Sequence, residues 1–256
     1  MIQLLDGKTF EEKDILEKMK EDSFYYGYLG KTALSSSSIK LLLDSPKKYK
    51  YVTEYGSQTS QGLRDGWLFH TAILEPDVFE NQIFVDVQSK NTKAYKLAKQ
   101  EHGERVFTMK EKKDAERLAD AFLRNEYALQ MITDCEFEVP AIGMIGGYPF
   151  RGKADVLDSY RICDLKTCSD IKGFKYQSYK YGYDVQVYLY CELFNKTYDQ
   201  FKFIAIDKGS LDIGIYDVSE DFYNSGKDKV TKALETFKTF FIDGADIDSY
   251  CIKSIL

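Results

Sequence analysis

Three carboxylates and a lysine, Glu138, Asp155, Asp164 and Lys166, lie in three consecutive segments that are typical of short strands. Carboxylates crowded on one face repel one another and lose hydration, and a hard divalent cation with oxygen ligands relieves that cost. Such a cation can lower the pKa of a coordinated water and orient a scissile phosphate. Lys166 can position the attacking water or balance the charge of the transition state. The set predicts metal-assisted hydrolysis of a phosphodiester.

The same residues also fit an ordinary hairpin with a solvated acidic face. An Asp-Leu-Lys sequence downstream of another aspartate is a common pattern when it is taken alone. From these residues by themselves, both interpretations stay open.

The predicted hairpin brings two of the acids together. Gly146-Gly147 suits a two-residue type I′ turn, in which both central residues need a positive φ. A turn there places Glu138 opposite Asp155. Because side chains alternate along a strand, Arg151 and Lys153 share the face of the two acids.

A second turn, near Asp158, decides whether Asp164 and Lys166 join that face. The turn itself leaves two registers open, since a shift by one residue moves Asp164 away from Asp155. We predict the register that places all four polar groups on one face, because it alone gathers the apolar residues on one core face. Those apolar residues are Tyr148, Phe150, Ala154, Val156, Cys163 and Leu165.

A helix predicted between residues 171 and 197 carries a stripe of hydrogen-bonding side chains. Its members are Tyr179, Tyr183, Gln186 and Tyr190, whose spacing of four, three and four residues places them on one face. A core stripe is more commonly made of Leu, Ile and Val. For Tyr179 and Tyr183 we favour simple packing with the hydroxyl at the rim.

At these residues the chain resembles the PD-(D/E)XK nuclease superfamily, and in particular the RecE-like exonucleases of phages and prophages (exonuclease VIII type). The resemblance extends from residue 33 to residue 190 and follows the order of the family's motifs. Those motifs are the Ser-rich helix start ALSSSSIKLLLDSPKKY, G-x-x-x-H at Gly66 and His70, Glu138, G-K-A-D ending at Asp155, D-L-K from Asp164 to Lys166, and Q-x-x-x-Y at Gln186 and Tyr190. As a set the motifs are specific, although no single one is.

The resemblance implies an α/β fold with a restriction-endonuclease-like core, in which helices flank a mixed central sheet that contains an antiparallel hairpin pair. It implies that Asp155 and Asp164 are the principal metal ligands, helped by the backbone carbonyl of Leu165. Glu138 and His70 would complete that metal site or a second one.

The resemblance also implies roles for the residues around the metal. Lys166 would assist the water nucleophile. Gln186 would orient Lys166 or the terminal phosphate of the substrate, and Tyr190 would support the site or the DNA end.

The activity implied by the resemblance is a Mg²⁺-dependent exonuclease, with Mn²⁺ as a substitute, that degrades linear double-stranded DNA from 5′ to 3′. The 3′ single strand left behind would serve a phage single-strand annealing protein. Ring-shaped assemblies occur among such exonucleases, so we expect a homo-oligomer.

Two alternatives stay open. The protein could be a single-strand DNA exonuclease or the nuclease module of a repair complex. It could also be a non-catalytic DNA-binding or scaffold protein of the same fold. The complete acid and lysine set argues against the second alternative, because binding alone does not need Lys166 beside Asp164.

The charge of the chain restricts how it can contact DNA. The 256 residues are 44% hydrophobic and 30% charged, with a formal net charge of −6. A negative chain needs a local basic patch or bound metal to contact nucleic acid. Alternating basic and aromatic residues in KKYKY suit phosphates and unstacked bases, although they also fit solvated surface. The candidate DNA contacts are Lys47, Lys48, Arg151, Lys153 and Tyr183.

One nuclease domain over residues 1–256 is the simplest organisation: a helical and aromatic N-terminal part (1–60), a catalytic core (61–200), and C-terminal strands and a helix (201–256). The chain has no apolar run of membrane-spanning length, and its start lacks signal-peptide features, so we expect no membrane association and a cytoplasmic location, in the bacterial host if a phage encodes the protein.

None of the five cysteines precedes Cys135 and no C-x-x-C pair occurs, so we expect reduced thiols and no iron–sulfur cluster.

A helix from about residue 61 to 74 is predicted to carry Gly62, Gly66 and His70 on one face, where the glycines let another backbone or a substrate approach. We expect His102 in a loop. The remaining predictions are helices at 10–21, 39–44 (capped by Ser35 to Ser38 and stopped by Pro46), 92–100, 109–132 and from Ser219 to 241, and strands at 201–207 and 211–218.

Overall fold

The computed structural model describes residues 1–252, and a five-stranded sheet between residues 136 and 217 forms its centre. The strands of the described residues are β1 (Ile2–Gln3), β2 (Thr9–Phe10), β3 (Ile83–Val85), β4 (Val106–Thr108), β5 (Glu136–Ile145), β6 (Tyr148–Leu157), β7 (Ile162–Cys168), β8 (Phe201–Asp207) and β9 (Ile213–Asp217).

Helices account for most of the remaining structure. The α-helices of the described residues are α1 (Glu12–Lys18), α2 (Leu29–Thr32), α3 (Ser36–Asp44), α4 (Pro46–Tyr55), α5 (Gln61–Leu74), α6 (Pro76–Glu80), α7 (Lys93–His102), α8 (Met109–Arg124), α9 (Glu126–Ile132), α10 (Phe174–Lys180), α11 (Tyr183–Phe194) and α12 (Glu220–Phe237). Short π-helical turns occur at Ser23–Tyr28 and Lys238–Ile242, and 3₁₀ turns at Tyr198–Gln200 and Ile247–Ser249.

The central sheet has the order β5-β6-β7-β8-β9, with β7 and β8 parallel and all other neighbours antiparallel. Parallel neighbours require a crossover connection, which α10 and α11 supply. The predicted α/β fold, with a mixed sheet and an antiparallel hairpin pair, is confirmed. Two smaller sheets, β1-β2 and β3-β4, were missed because strands of two or three residues leave little periodicity to detect.

The predicted register of the first hairpin is confirmed. Ile145 pairs with Tyr148 and Phe137 with Val156, and Gly146 and Gly147 adopt φ angles of 58° and 86°. Glu138 departs from the ladder, because its own φ is 51°. A positive φ in a residue other than glycine is strained and is held in place by its surroundings. The backbone therefore turns at the position of a candidate metal ligand.

The second predicted register is also confirmed, since Val156 pairs with Cys163 and Leu157 with Ile162. The expectation of one core face was wrong. Phe150 and Ala154 pack in the hydrophobic cluster that contains α3, α11 and α12, whereas Val156, Cys163 and Leu165 pack in the cluster that contains α5, α8 and α9. Both sides of the sheet are covered by helices, as expected around a parallel strand pair.

The helix boundaries reflect local capping. Helix α5 covers the predicted span, and the Ser60 side chain accepts a hydrogen bond from the Leu63 N–H at its start. Ser35 caps α3 as predicted, accepting from the Ser38 N–H, and Pro46 also begins α4 instead of only stopping α3.

Two predicted helices are each divided in the structure. The helix at 109–132 stops at Asn125, whose side chain caps α9. The helix at 171–197 is interrupted at Gly182, whose φ of 64° separates α10 from α11. Tyr179 consequently lies on α10 and packs edge-on against Phe222, with ring centroids 4.7 Å apart. The stripe of four side chains on one helix was therefore wrong for Tyr179.

Smaller differences concern the periphery. His102 lies in the last turn of α7 and not in a loop. The Ser219 side chain caps α12 as predicted, accepting from the Phe222 N–H. Among residues 1–252, no helix combines the length and the apolar character that crossing a bilayer would require.

Candidate active site

A cleft of about 1280 Å³ lies at the point where β6 and β7 separate. These strands pair through two residue pairs only, Val156 with Cys163 and Leu157 with Ile162, and Asp155 is the next residue of β6 beyond the pairing. The predicted site residues that line the cleft are His70, Glu138, Arg151, Lys153, Asp155, Lys166, Tyr183, Gln186 and Tyr190.

Three of the predicted metal ligands converge in this cleft. One donor atom each from His70, Glu138 and Asp155 lies within 4.8 Å of the others. His70 Nδ1 is 3.4 Å from Asp155 Oδ2. Glu138 is also 3.5 Å from the Lys153 ammonium. The strand gap, the turned backbone at Glu138 and the approach of α5 together bring these donors into range.

Helix α5 approaches β7 closely enough to present His70. A Cβ atom added at Gly66 would lie 3.8 Å from Thr167 Oγ1, which is ordinary van der Waals contact. Gly62, Gly66 and His70 all line the cleft, as their spacing on one helix face predicts. Gly66 and His70 therefore share the face of α5 that lines the cleft.

The electrostatics of the three ligands fit a divalent cation. Burial, and next the charge of Asp155, raises the pKa of Glu138 to about 8. Burial, and next the charge of Asp164, raises the pKa of Asp155 above its usual value, although His70 and Lys166 work in the opposite direction. A hard cation removes this penalty because it favours the ionised form of both carboxyls. Two carboxylates and an imidazole form a donor set that suits such an ion.

The Asp155 carboxylate also accepts a backbone hydrogen bond from β7. The Leu165 N–H donates a 2.8 Å hydrogen bond to Asp155 Oδ2, where a neighbouring strand would otherwise provide an acceptor. Because the N–H and C=O of one strand residue point to the same edge, the Leu165 carbonyl faces the same gap. Among the described residues, the cleft lining includes neither Leu165 nor Asp164, so the carbonyl ligand stays a prediction.

Asp164 has surroundings unlike those of the other acids. It is 1% exposed and forms an ion pair with Lys166. Gln186 donates a hydrogen bond to its Oδ1 atom. Burial opposes the charge of Lys166, but the carboxylates of Asp164 and Asp155 outweigh burial and raise the pKa of Lys166. Asp164 thus keeps Lys166 charged, and Gln186 holds Asp164 and not Lys166 itself.

Tyr183 and Tyr190 of α11 support the cleft in different ways. The Tyr190 hydroxyl donates a 2.9 Å hydrogen bond to the Lys153 carbonyl and fixes β6 against the helix. The Lys166 ammonium lies 5.0 Å from the centroid of the Tyr183 ring, a cation–π contact. Tyr183 therefore does more than pack at a rim.

Two predicted DNA contacts are not brought into the cleft. Lys47 and Lys48 lie on α4, which does not contribute to the cleft lining. Lys47 is 2.9 Å from Asp248, and Lys48 forms an ion pair with Asp44. Both ammonium groups therefore already form ion pairs with neighbouring acids.

Tyr25, Tyr26 and Lys40 are among the cleft-lining residues that sequence reasoning missed. The guanidinium carbon of Arg151 lies 4.5 Å from the centroid of the Tyr25 ring, and Tyr26 is 57% exposed. The tyrosines sit in a π-helical turn that leaves no periodic signal. Lys40 lies on the helix predicted at 39–44, where a single lysine gives no signal of a site.

Comparisons with known proteins identify the family of the chain and support its fold. The model of a family described as a PDDEXK-like domain of unknown function (DUF3799) matches residues 35–245. The structure of a candidate exonuclease from Eubacterium rectale is similar, with a TM-score of 0.65 and 16% identity over 92% of this chain and 95% of that chain. At this identity the similarity shows the fold alone.

A phage-related exonuclease from Haemophilus somnus 129PT is 15% identical over 82% of this chain and 96% of that chain, with a TM-score of 0.37. No curated protein matches the sequence of the chain.

Proposed function

Because the chain belongs to the DUF3799 family of PDDEXK-like domains, we propose that it is a divalent-metal-dependent exodeoxyribonuclease that hydrolyses linear double-stranded DNA. Membership of this family confirms the resemblance to the PD-(D/E)XK superfamily, and the fold is that of a nuclease. The exonuclease activity, the DNA substrate and the identity of the metal are the finer parts of the proposal.

One observation carries the proposal: His70, Glu138 and Asp155 bring their donor atoms within 4.8 Å of one another, in a cleft that Lys166 also lines. A protein that only binds DNA needs neither a cluster of repelling acids nor a buried lysine beside it. The energetic cost of that cluster is expected where a cation and a reacting phosphate are to be held.

The residues of the chain divide the work as follows. His70, Glu138, Asp155 and the Leu165 carbonyl would hold Mg²⁺ or Mn²⁺, and Asp164, whose buried carboxylate is paired with Lys166, would be a further ligand. When bound, the ion supplies Lewis acidity toward the phosphoryl group. Lys166 orients the attacking water and donates to a phosphate oxygen, where negative charge increases in the transition state.

The remaining residues position these groups. Asp164 holds Lys166 protonated, Gln186 holds Asp164, and Tyr190 fixes the strand that carries Asp155. Arg151 and Lys153 provide positive charge at the cleft for the DNA backbone, which the negative chain otherwise repels.

We further propose attack from the 5′ end, a single-strand annealing protein as partner and a ring-shaped homo-oligomer. The family resemblance supports all three.

The proposal is tested by incubating the protein with linear duplex DNA, the same DNA as a covalently closed circle, and its denatured single strand, each with Mg²⁺, Mn²⁺ or EDTA. We expect nucleotide release from the linear duplex only, and only with metal. Cleavage of the closed circle would indicate an endonuclease, and preference for the single strand would transfer the assignment to single-stranded DNA. Inactivity on all three would leave a non-catalytic binding protein.

A further inference from the structure

Lys40 of α3 is a cation that lines the cleft without an acidic partner. Among residues 1–252, no carboxylate lies within ion-pair distance of its ammonium group. Two acids whose charges raise the pKa of Lys40 already form ion pairs with other lysines: Asp164 with Lys166, and Asp184 with Lys229. Burial, and next the charge of Lys166, lowers the pKa of Lys40 to about 8.

The position of Lys40 is defined by aromatic and backbone contacts. Its ammonium lies 5.5 Å from the centroid of the Tyr183 ring, the same ring that Lys166 contacts at 5.0 Å. Gly182 leaves room for the lysine stem, since a Cβ atom there would lie 3.2 Å from Lys40 Cε. The chain thus directs two ammonium groups, those of Lys40 and Lys166, toward the ring of one tyrosine in the cleft.

The placement of the Lys40 ammonium beside that of Lys166 lowers the stability of the folded protein. A charge removed from water is disfavoured unless an opposite charge compensates, and a second like charge nearby adds repulsion. The face of one aromatic ring compensates only part of that cost. An anion that enters the cleft would neutralise the ammonium charge of Lys40 beside Lys166 and remove this cost.

The hydroxyls of α3 add donors at the same place. Ser36 and Ser37 precede Lys40 by four and three residues, so all three lie on one face of the helix, and all three line the cleft. Hydroxyl and ammonium donors on one helix face of a cleft suit the oxygens of a phosphate.

We propose that Lys40 binds a phosphate of the DNA strand next to the phosphate held at His70, Glu138 and Asp155. This inference rests on the proposed nuclease function and extends it, because it assigns a second phosphate position to the cleft. The phosphate is either an internal diester or the terminal monoester of a 5′ end, and the two share the same recognition chemistry.

The variant Lys40→Met removes the ammonium but keeps an unbranched side chain of similar length, and Lys40→Arg keeps the charge. The matched control is Lys232→Met, which removes one positive charge from an exposed position of α12 outside the cleft. Each protein is assayed for duplex cleavage with Mg²⁺, for duplex binding by fluorescence anisotropy with Ca²⁺, and for thermal unfolding. The duplexes carry either a 5′-phosphate or a 5′-hydroxyl.

Loss of one charge-assisted contact is expected to lower kcat/KM and duplex affinity about 10- to 100-fold in Lys40→Met. Lys40→Arg should recover most of this loss, and Lys232→Met should stay within about twofold of the wild type. Lys40→Met should unfold at the same or a higher temperature than the wild type, because an unpaired charge has been removed. A purely structural lysine would instead lower the unfolding temperature.

The two ends distinguish the source of the phosphate. A loss confined to 5′-phosphorylated duplex assigns Lys40 to the terminal monoester, and an equal loss on both ends assigns it to an internal diester. Lys40→Met with wild-type cleavage and binding would overturn the inference while the nuclease assignment stands.

Binding that depends on Lys40 in a protein without cleavage would instead refute the nuclease assignment and retain the phosphate site. A wild-type protein that neither binds nor cleaves duplex DNA would overturn both.

Discussion

Glu138→Gln is predicted to make the metal-free protein more stable while it abolishes metal binding. In the folded protein, burial and the charge of Asp155 raise the pKa of Glu138 from the usual 4.5 to about 8. The folded state then binds more protons than the unfolded state between these values, so stability falls as the pH rises through that interval. A neutral glutamine removes this penalty.

The size of the effect follows from the same values. Each pH unit between 4.5 and 8 costs about 1.4 kcal/mol of unfolding free energy, so the penalty at pH 7 approaches about 3 kcal/mol. Solvent screens part of this penalty, since the Glu138 side chain is 22% exposed. We expect Glu138→Gln to gain about 1 to 3 kcal/mol at pH 7 in EDTA, and little or nothing at pH 4.5.

The assay is thermal unfolding in EDTA and in Mn²⁺, at pH 4.5 and pH 7. The control is Glu136→Gln, two residues away on the same strand and exposed. The wild type should gain stability with Mn²⁺, and Glu138→Gln should not, because a ligand has been lost. A destabilised Glu138→Gln in EDTA, or one that still responds to Mn²⁺, would refute the assignment of Glu138 to a strained metal site.

Three further predictions follow from the contacts of the site and of α8. Lys166→Met should abolish cleavage but keep Mn²⁺ affinity measured by calorimetry, because Lys166 is not a ligand; lost affinity would contradict its role. Asp164→Ala should abolish cleavage and also lower stability by about 3 to 5 kcal/mol in urea unfolding, because it leaves the buried Lys166 unpaired. Burial opposes ionisation of Glu111, but hydrogen bonds from Gln61, Lys90 and Thr108 outweigh it and lower the pKa of Glu111 to about 2. The ionised Glu111 carboxylate therefore stabilises the folded protein above pH 4.5, and this contribution is lost as the pH falls toward 2. Glu111→Gln should lower the unfolding free energy by about 3 kcal/mol at pH 7 and by nothing at pH 2. An equal loss at both pH values would refute this account.

Local rules predicted the parts of the site that lie on one hairpin and one helix. Gly146-Gly147 fixes the turn, and the alternation of side chains then fixes which residues oppose each other. Glycine spacing on α5 likewise identified the face that carries His70. Each of these depends on neighbours in sequence, where propensity and periodicity are informative.

Features that depend on tertiary contacts were not predictable in the same way. The separation of β6 from β7, which lets Asp155 bond to the Leu165 N–H, has no local signal. The division of the apolar residues between two helical layers follows from the parallel pairing of β7 with β8, which brings in residues some forty positions away in sequence. The ion pair of Asp164 with Lys166 likewise depends on how deeply the sheet buries that aspartate.

The most direct test of the central claim is digestion of a linear duplex labelled at one 5′ end, by the wild type and by Lys166→Met, with Mg²⁺ and with EDTA. The account predicts short labelled products that appear only with the wild type and Mg²⁺. A label that stays intact under all conditions, or one that is released equally by Lys166→Met, would contradict it.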